Sequence, residues 1–271
     1  MKSILLHIAN DRAMPARLQA ALDLARATGG HITCLQAISY EVFAPGDFYG
    51  SAMAAAMPVI KEAAEKLRAE IEADLAREDV SWDWRLVYGA AESRLLEQAA
   101  LADVVLVGPY DAGEESRGPS SMVGTLVLKA PVPVLVVPAG TKRLDVTAPV
   151  LVGWNGSAEA CVALRRAVPL LRQASKVYLA MVEEQRRQDR FDFPPLEGAQ
   201  YLSRHGIEAE LAEIPRGDAR ISDTLFSAAQ MRGCGLLVMG AYGQSRFAEM
   251  LFGGVTRHSL TDPQMPMFLA H

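Results

Sequence analysis

A glycine-rich stretch near the carboxyl terminus, residues 240–258, is the part of the sequence best suited to bind a ligand. Its glycines follow the spacing G-x2-G-x9-G-G and are succeeded by Val255 and Thr256. Glycine has no Cβ, so backbone N–H groups in such a loop can approach an anion closely. The pair Gly253-Gly254 is expected to open a helix, whose unpaired first N–H groups and positive dipole end favour a phosphate. The spacing therefore predicts an anion site, with the Thr256 hydroxyl as a further donor.

The same stretch has a second interpretation, which spacing alone leaves open. In this interpretation the glycines serve only to make a turn and to let the last helix pack tightly on a sheet. Against this stand three positive or potentially positive neighbours, Arg246, Arg257 and His258. The stretch is neither a Walker A loop nor a Rossmann fingerprint, because G-x4-G-K-[ST] is absent and no G-x-G-x-x-G follows a strand.

Catalytic and metal-binding groups are sparse in the sequence. His7 lies within an apolar strand and is expected to be a satisfied core histidine, and His258 is the one histidine near the predicted loop. No acid–base set and no clustered metal ligands are recognisable, so we assign no catalytic or metal-binding residue. The three cysteines are far apart without a C-x-x-C pair, which predicts neither a disulfide framework nor a zinc site.

The elements that must position the glycine-rich loop occur twice along the chain. The apolar segment 5–10 matches 150–155, and each ends in asparagine before a helical pattern. Two proline-led apolar segments, 133–137 and 266–270, close the two repeats. The repeats predict two tandem domains, 1–140 and 148–271, joined by a polar linker. The first is longer by about 13 residues, which we place in 40–58 ahead of a long helix ending near Arg77.

Alternating strands and helices, with strands of continuous Val, Leu and Ile, predict an α/β fold of parallel sheets covered on both faces. Right-handed crossovers favour a doubly wound, five-stranded sheet in each domain. Such sheets bind ligands beyond the carboxyl ends of their strands, where the strand order reverses. In the second domain this crevice should lie between the end of the first strand, at Asn155, and the end of the fourth, at Gly240.

The corresponding loop of the first domain is degenerate. Asp111 stands in place of the second glycine, and Pro109 removes a backbone donor. Glu114 and Glu115 put negative charge where phosphates would lie. Gly124-Thr125 still resembles a helix start, but we predict a structural or regulatory role for this domain rather than anion binding.

At residues 150–157 and 240–258 the sequence closely resembles the universal stress protein family in its tandem bacterial form. The resemblance implies a flavodoxin-like sheet of strand order 3-2-1-4-5 in each domain, and ATP, alone or with Mg²⁺, in the second. It also implies that the last strands of the two domains pair antiparallel, as a pseudo-dimer within the chain, with a homodimer as a further possibility. The nucleotide-binding residues implied are Asn155, Val182, Gly240, Gly243, Gly253, Gly254, Val255 and Thr256.

Two residues depart from the family pattern. Gly254 replaces the usual Ser or Thr after the third glycine, which keeps a backbone donor and removes a hydroxyl. Asn155 replaces the usual acidic residue at the end of the first strand, which keeps an acceptor and removes a charge.

The charge and hydropathy of the sequence disfavour two classes of partner, nucleic acids and membranes. The chain has 27 Lys and Arg against 32 Asp and Glu, a net charge of −5, which disfavours nucleic acid. No apolar run approaches the roughly 18 residues of a membrane span, and no signal peptide is recognisable, so we predict a cytoplasmic protein without a membrane partner.

The predicted function is that of a cytoplasmic stress-response protein that binds ATP or a related nucleotide in its second domain. It would act by ligand-dependent conformation or partner choice rather than by fast catalysis, with at most slow ATP hydrolysis. The alternative is an interaction or chaperone-like module of the same fold with no nucleotide requirement. A true enzyme, such as a nucleotide hydrolase or transferase, is disfavoured by the missing acid–base set.

Overall fold

Strands and helices alternate along the chain. The computed structural model describes residues 1–39, 48–110, 120–182, 195–241 and 254–271. The strands are β1 Ser3–Ile8, β2 His31–Ile38, β3 Ser81–Tyr88, β4 Val104–Val107, β5 Val134–Val136, β6 Val150–Gly153, β7 Val177–Val182, β8 Ala209–Ile214, β9 Leu236–Gly240 and β10 Met267–Ala270. The helices are α1 Met14–Thr28, α2 Phe48–Leu75, α3 Ala91–Ala99, α4 Ser121–Lys129, α5 Ala158–Leu171, α6 Pro195–Arg204, α7 Ile221–Met231 and α8 Gly254–Thr261.

These strands form one sheet in the order β3-β2-β1-β4-β5-β10-β9-β6-β7-β8. We call β1–β5 with α1–α4 the N-terminal half and β6–β10 with α5–α8 the C-terminal half. Each half has the order 3-2-1-4-5 and is parallel throughout, so the predicted fold class is confirmed. The two five-stranded sheets merge because β5 pairs antiparallel with β10, where Phe268 lies opposite Leu135. The domain boundaries 1–140 and 148–271 stay a prediction.

Both faces of the sheet are covered by helices, as continuous apolar strands require. One core lies between the sheet and α1, α2, α5 and α6, and the other between the sheet and α3, α4, α7 and α8. The central strands β4 and β5 are wholly buried. This arrangement leaves the carboxyl ends of the strands as the part of each half where a ligand can reach the sheet.

The long helix of the N-terminal half differs from the prediction. The segment 40–58 was expected to precede the helix, yet α2 begins at Phe48 and contains Pro58 within it. Proline has no N–H, so it removes one backbone hydrogen bond without ending the helix. Residues 40–47 lie outside the described part of the chain.

The segment between the halves is attached to the protein surface. Leu144 is buried, and its N–H donates to Asp23 Oδ2 of α1 at 2.8 Å. The N–H of Ser175 donates to Thr147 O at 2.8 Å.

Among the described helices, none combines the length and apolar character needed to cross a bilayer.

Candidate functional site

Three of the predicted site residues lie at one edge of the C-terminal half. Asn155 follows β6, Val182 is the last residue of β7, and Gly240 is the last residue of β9. The strands β7, β6 and β9 are hydrogen-bonded neighbours, with Gly153 of β6 opposite Met239 of β9. Because the strands are parallel, their carboxyl ends meet at the same edge of the sheet. The strand order reverses between β6 and β9, so this edge is the crevice where such sheets bind ligands.

The helix predicted to start at the glycine pair is present. Helix α8 begins at Gly254 and connects β9 to the parallel strand β10, so its N-terminus lies at the same carboxyl edge. A Cβ on Gly254 would meet no atom of the described residues within 4 Å. Val255 is partly buried, whereas Thr256 is only 4 % exposed. A ligand at this helix end therefore reaches the Gly254 and Val255 amides more readily than the Thr256 hydroxyl.

Gly243 and Gly253, the two remaining predicted phosphate contacts, lie outside the described residues, as does Arg246. Their part in the site stays a prediction.

The structure gives Gly240 a packing role. A Cβ on this residue would lie 2.5 Å from Ala160 N and 2.5 Å from the carbonyl carbon of Glu159. Backbone atoms cannot move aside as a side chain can, so only glycine lets α5 begin this close to β9. The interpretation that a glycine serves tight helix packing thus holds for Gly240. The helix concerned is α5, however, and not the helix that follows β9.

Asn155 shapes the turn into α5. Its Oδ1 accepts the Ser157 N–H at 3.2 Å, and Ser157 Oγ in turn accepts the Ala160 N–H at 3.2 Å as the helix N-cap. Asparagine is suited to this position because its short side chain bonds the backbone two residues on. The side-chain oxygen of this predicted nucleotide-binding residue is therefore engaged within the protein, while the residue as a whole is exposed.

The equivalent edge of the N-terminal half is filled by a side chain. Arg17 of α1 is fully buried, and its Nε donates to His7 O at 2.8 Å. Its Nη2 donates to Asp11 Oδ2 at 2.9 Å. A Cβ on Gly108, at the end of β4, would lie 2.4 Å from Arg17 Nη1. The guanidinium occupies the space beside the end of β4. The lack of an anion site in this half, which the degenerate loop predicted, stays a prediction.

His7, whose backbone carbonyl accepts from Arg17, is a buried histidine. Its side chain is 7 % exposed, and burial together with the positive charge of Arg17 lowers its pKa to about 3. The prediction of a core histidine is confirmed in its burial. It is wrong in one respect, because His7 Nδ1 has no hydrogen-bond partner among the described residues. A neutral imidazole held in this way is not poised for acid–base chemistry at neutral pH.

Helix α4 also departs from the prediction. We expected it to open at Gly124-Thr125, but it begins at Ser121. Ser120 caps it, with Oγ accepting the Val123 N–H at 3.1 Å, so the local capping residue fixes the start. Asp111, Glu114 and Glu115 lie outside the described residues.

Sequence reasoning missed one cation at the carboxyl edge of the C-terminal half, Arg220. Arg220 is the residue immediately before α7, and its Nη1 lies 3.4 Å from Nδ1 of His258 on α8. The two line a groove of about 370 Å³ between α7 and α8, together with Asp223 and Asp262. The signal in the sequence was the position of Arg220 shortly after Gly217, in the connection from the third strand to its helix.

Metal ligands do not cluster in the part of the chain that the structure describes: no three His, Cys, Asp or Glu side chains come together there.

Three solved structures have a fold similar to that of this chain over nearly its whole length. The structure of a universal stress protein from Archaeoglobus fulgidus superposes with a TM-score of 0.66 over 99% of this chain and 96% of that one, at 15% identity. A protein of Pseudomonas aeruginosa described as a universal stress protein gives 0.61 over 100% and 93%, at 16% identity. A third structure, a functionally uncharacterised protein also from Pseudomonas aeruginosa, gives 0.60 over 100% and 92%, at 17% identity.

No family model matches the sequence, and no curated protein matches it significantly. The structural similarity extends over both halves, so the tandem fold is that of solved universal stress protein structures. The predicted resemblance to universal stress proteins is confirmed at the level of the fold, over both halves.

Proposed function

We propose that this chain is a stress-response protein of the universal stress type, and that it binds ATP or a related nucleotide at the carboxyl edge of its C-terminal half. Binding would change conformation or partner choice rather than drive fast catalysis. The same proposal includes three finer statements: the nucleotide is ATP, Mg²⁺ is bound with it, and the protein is cytoplasmic.

One observation carries this proposal. The ends of β6, β7 and β9 meet at one edge, and the N-terminus of α8 lies at that edge too, with no described atom within 4 Å of a Cβ on Gly254. A helix N-terminus offers unpaired N–H groups and a partial positive charge, which suit a phosphate. Asn155 is exposed and follows β6, which is paired with β7, and we place the base near Asn155 and Val182, the last residue of β7.

A nucleotide-independent interaction module is the second candidate. The observation in its favour is Gly240, whose contact with α5 explains a glycine at this position without any ligand. The two candidates differ in whether the wild-type protein binds nucleotide at all.

Calorimetric titration with ATP, with mass spectrometry of nucleotide retained through purification, separates them. We expect micromolar binding, about −8 kcal/mol. Neither binding heat nor thermal stabilisation at millimolar ATP would leave the interaction module as the function.

The variant Gly254→Glu tests the location. It places a carboxylate at the N-terminus of α8, where it favours the helix dipole but repels phosphates. We expect unchanged or slightly raised thermal stability and ATP affinity lowered by about tenfold or more. Gly254→Gln is the matched control, since it has the same size and no charge. If Gly254→Glu binds ATP as tightly as Gly254→Gln, the phosphates do not lie at this helix end.

A further inference from the structure

We propose that Arg220 binds the terminal phosphate of the nucleotide and makes the C-terminal half selective for nucleoside phosphates over nucleosides. This inference rests on the proposed function and adds to it a specificity residue outside the glycine-rich loop.

The position of Arg220 follows from the topology. It precedes α7, which connects β8 to β9, so it stands at the carboxyl edge of the sheet. Its Nη1 is 3.4 Å from Nδ1 of His258. His258 comes four residues after Gly254, a rise of about 6 Å along the helix axis. The guanidinium therefore lies about one helical turn from the N-terminus of α8.

The charge of Arg220 is not neutralised within the described part of the chain. Asp223 and Asp262 line the same groove, yet neither forms an ion pair with Arg220 within 4.0 Å. Other arginines behave differently, as Arg17 and Arg94 each bond a carboxylate at 2.9 and 2.8 Å. The Arg220 side chain is exposed and keeps its planar set of donors available for the paired oxygens of a phosphate.

The corresponding connection of the N-terminal half also has an arginine beside it, but that arginine is engaged. Arg94 of α3 donates from Nε to Tyr88 O, at the end of β3, at 2.9 Å. It also pairs with the Glu97 carboxylate at 2.8 Å. Arg220 differs from Arg94 in having no carboxylate partner among the described residues.

The test compares ATP with adenosine on the full-length protein, by calorimetric titration of wild type and Arg220→Gln. We expect the variant to lose about tenfold or more in ATP affinity, the size of a charge-assisted hydrogen bond, with adenosine affinity unchanged. Arg216→Gln is the matched control, because Arg216 is an exposed arginine of the same connection whose Nε donates to Ala219 O. It should bind ATP as wild type does.

The outcomes separate the two proposals. Equal ATP affinity of Arg220→Gln and wild type overturns this inference and leaves the proposed function standing. A parallel loss for ATP and adenosine also overturns it, since it indicates a structural role. Failure of the wild type to bind ATP overturns both. Circular dichroism and the unfolding midpoint of each variant show whether it is folded.

Discussion

At the scale of single residues, Arg17 distinguishes the two halves most clearly. It is fully buried and bonds both a backbone carbonyl and the Asp11 carboxylate, whose side chain is only 11 % exposed. Deleting one partner of such a pair leaves the other charge poorly solvated, and this penalty exceeds the energy of an exposed ion pair. The buried guanidinium thus stabilises the N-terminal half beside the end of β4, where the C-terminal half has the start of α5 beside Gly240.

We therefore expect Arg17→Met to lower the free energy of unfolding by about 3 kcal/mol or more, measured by equilibrium unfolding in urea. Arg26→Met, on the same helix, is the control. Arg26 is 42 % exposed and pairs with Asp23 and Glu78, so its loss should cost less than about 1 kcal/mol. Equal effects of the two variants would contradict the role assigned to Arg17.

At the scale of elements, the close contact between α5 and β9 is the feature that depends on one residue. It forms at Gly240, where the helix backbone occupies the space of a Cβ, and it positions the turn containing Asn155. The start of α8 at Gly254 is unconstrained in the same sense, since a Cβ there meets no described atom within 4 Å. Close packing thus explains why Gly240 is a glycine, whereas packing against described atoms does not explain Gly254.

Gly240→Ala should lower the free energy of unfolding by about 1–3 kcal/mol, because the added methyl group must displace α5 from the sheet. Gly254→Ala should change it by less than about 1 kcal/mol, since alanine fits a helix at least as well as glycine. Thermal and urea unfolding of both variants provide the measurement. If Gly240→Ala is as stable as wild type, α5 and β9 are not held at the distance described.

At the scale of the whole molecule, the antiparallel pairing of β5 with β10 joins the halves. Leu135 and Phe268 lie opposite each other and are fully buried, so the junction is part of the core rather than a surface contact. It satisfies the edge strands that each half would otherwise expose. The predicted pairing of the last strands within the chain is present, while a homodimer stays a prediction.

We expect the halves to remain associated after the linker is cut. A protease site inserted after Gly140, which is exposed, allows cleavage without removing a core residue. The cleaved wild type should elute from size exclusion as one species. Phe268→Ala, at a cost of about 3–5 kcal/mol, should let the cleaved halves separate on dilution. Separation of the cleaved wild type would show that the linker, and not the strand pairing, holds the molecule together.

The sequence by itself determined the repeated α/β pattern, the tandem fold and the start of α8 at Gly254. These follow from signals between neighbouring residues, such as apolar runs and helix-opening glycines. Only the tertiary structure decided which atoms surround Gly240, where the Arg17 guanidinium is buried and how closely Arg220 approaches His258. Each joins residues distant in sequence, and their contact depends on how helices lie on the sheet, which no local pattern encodes.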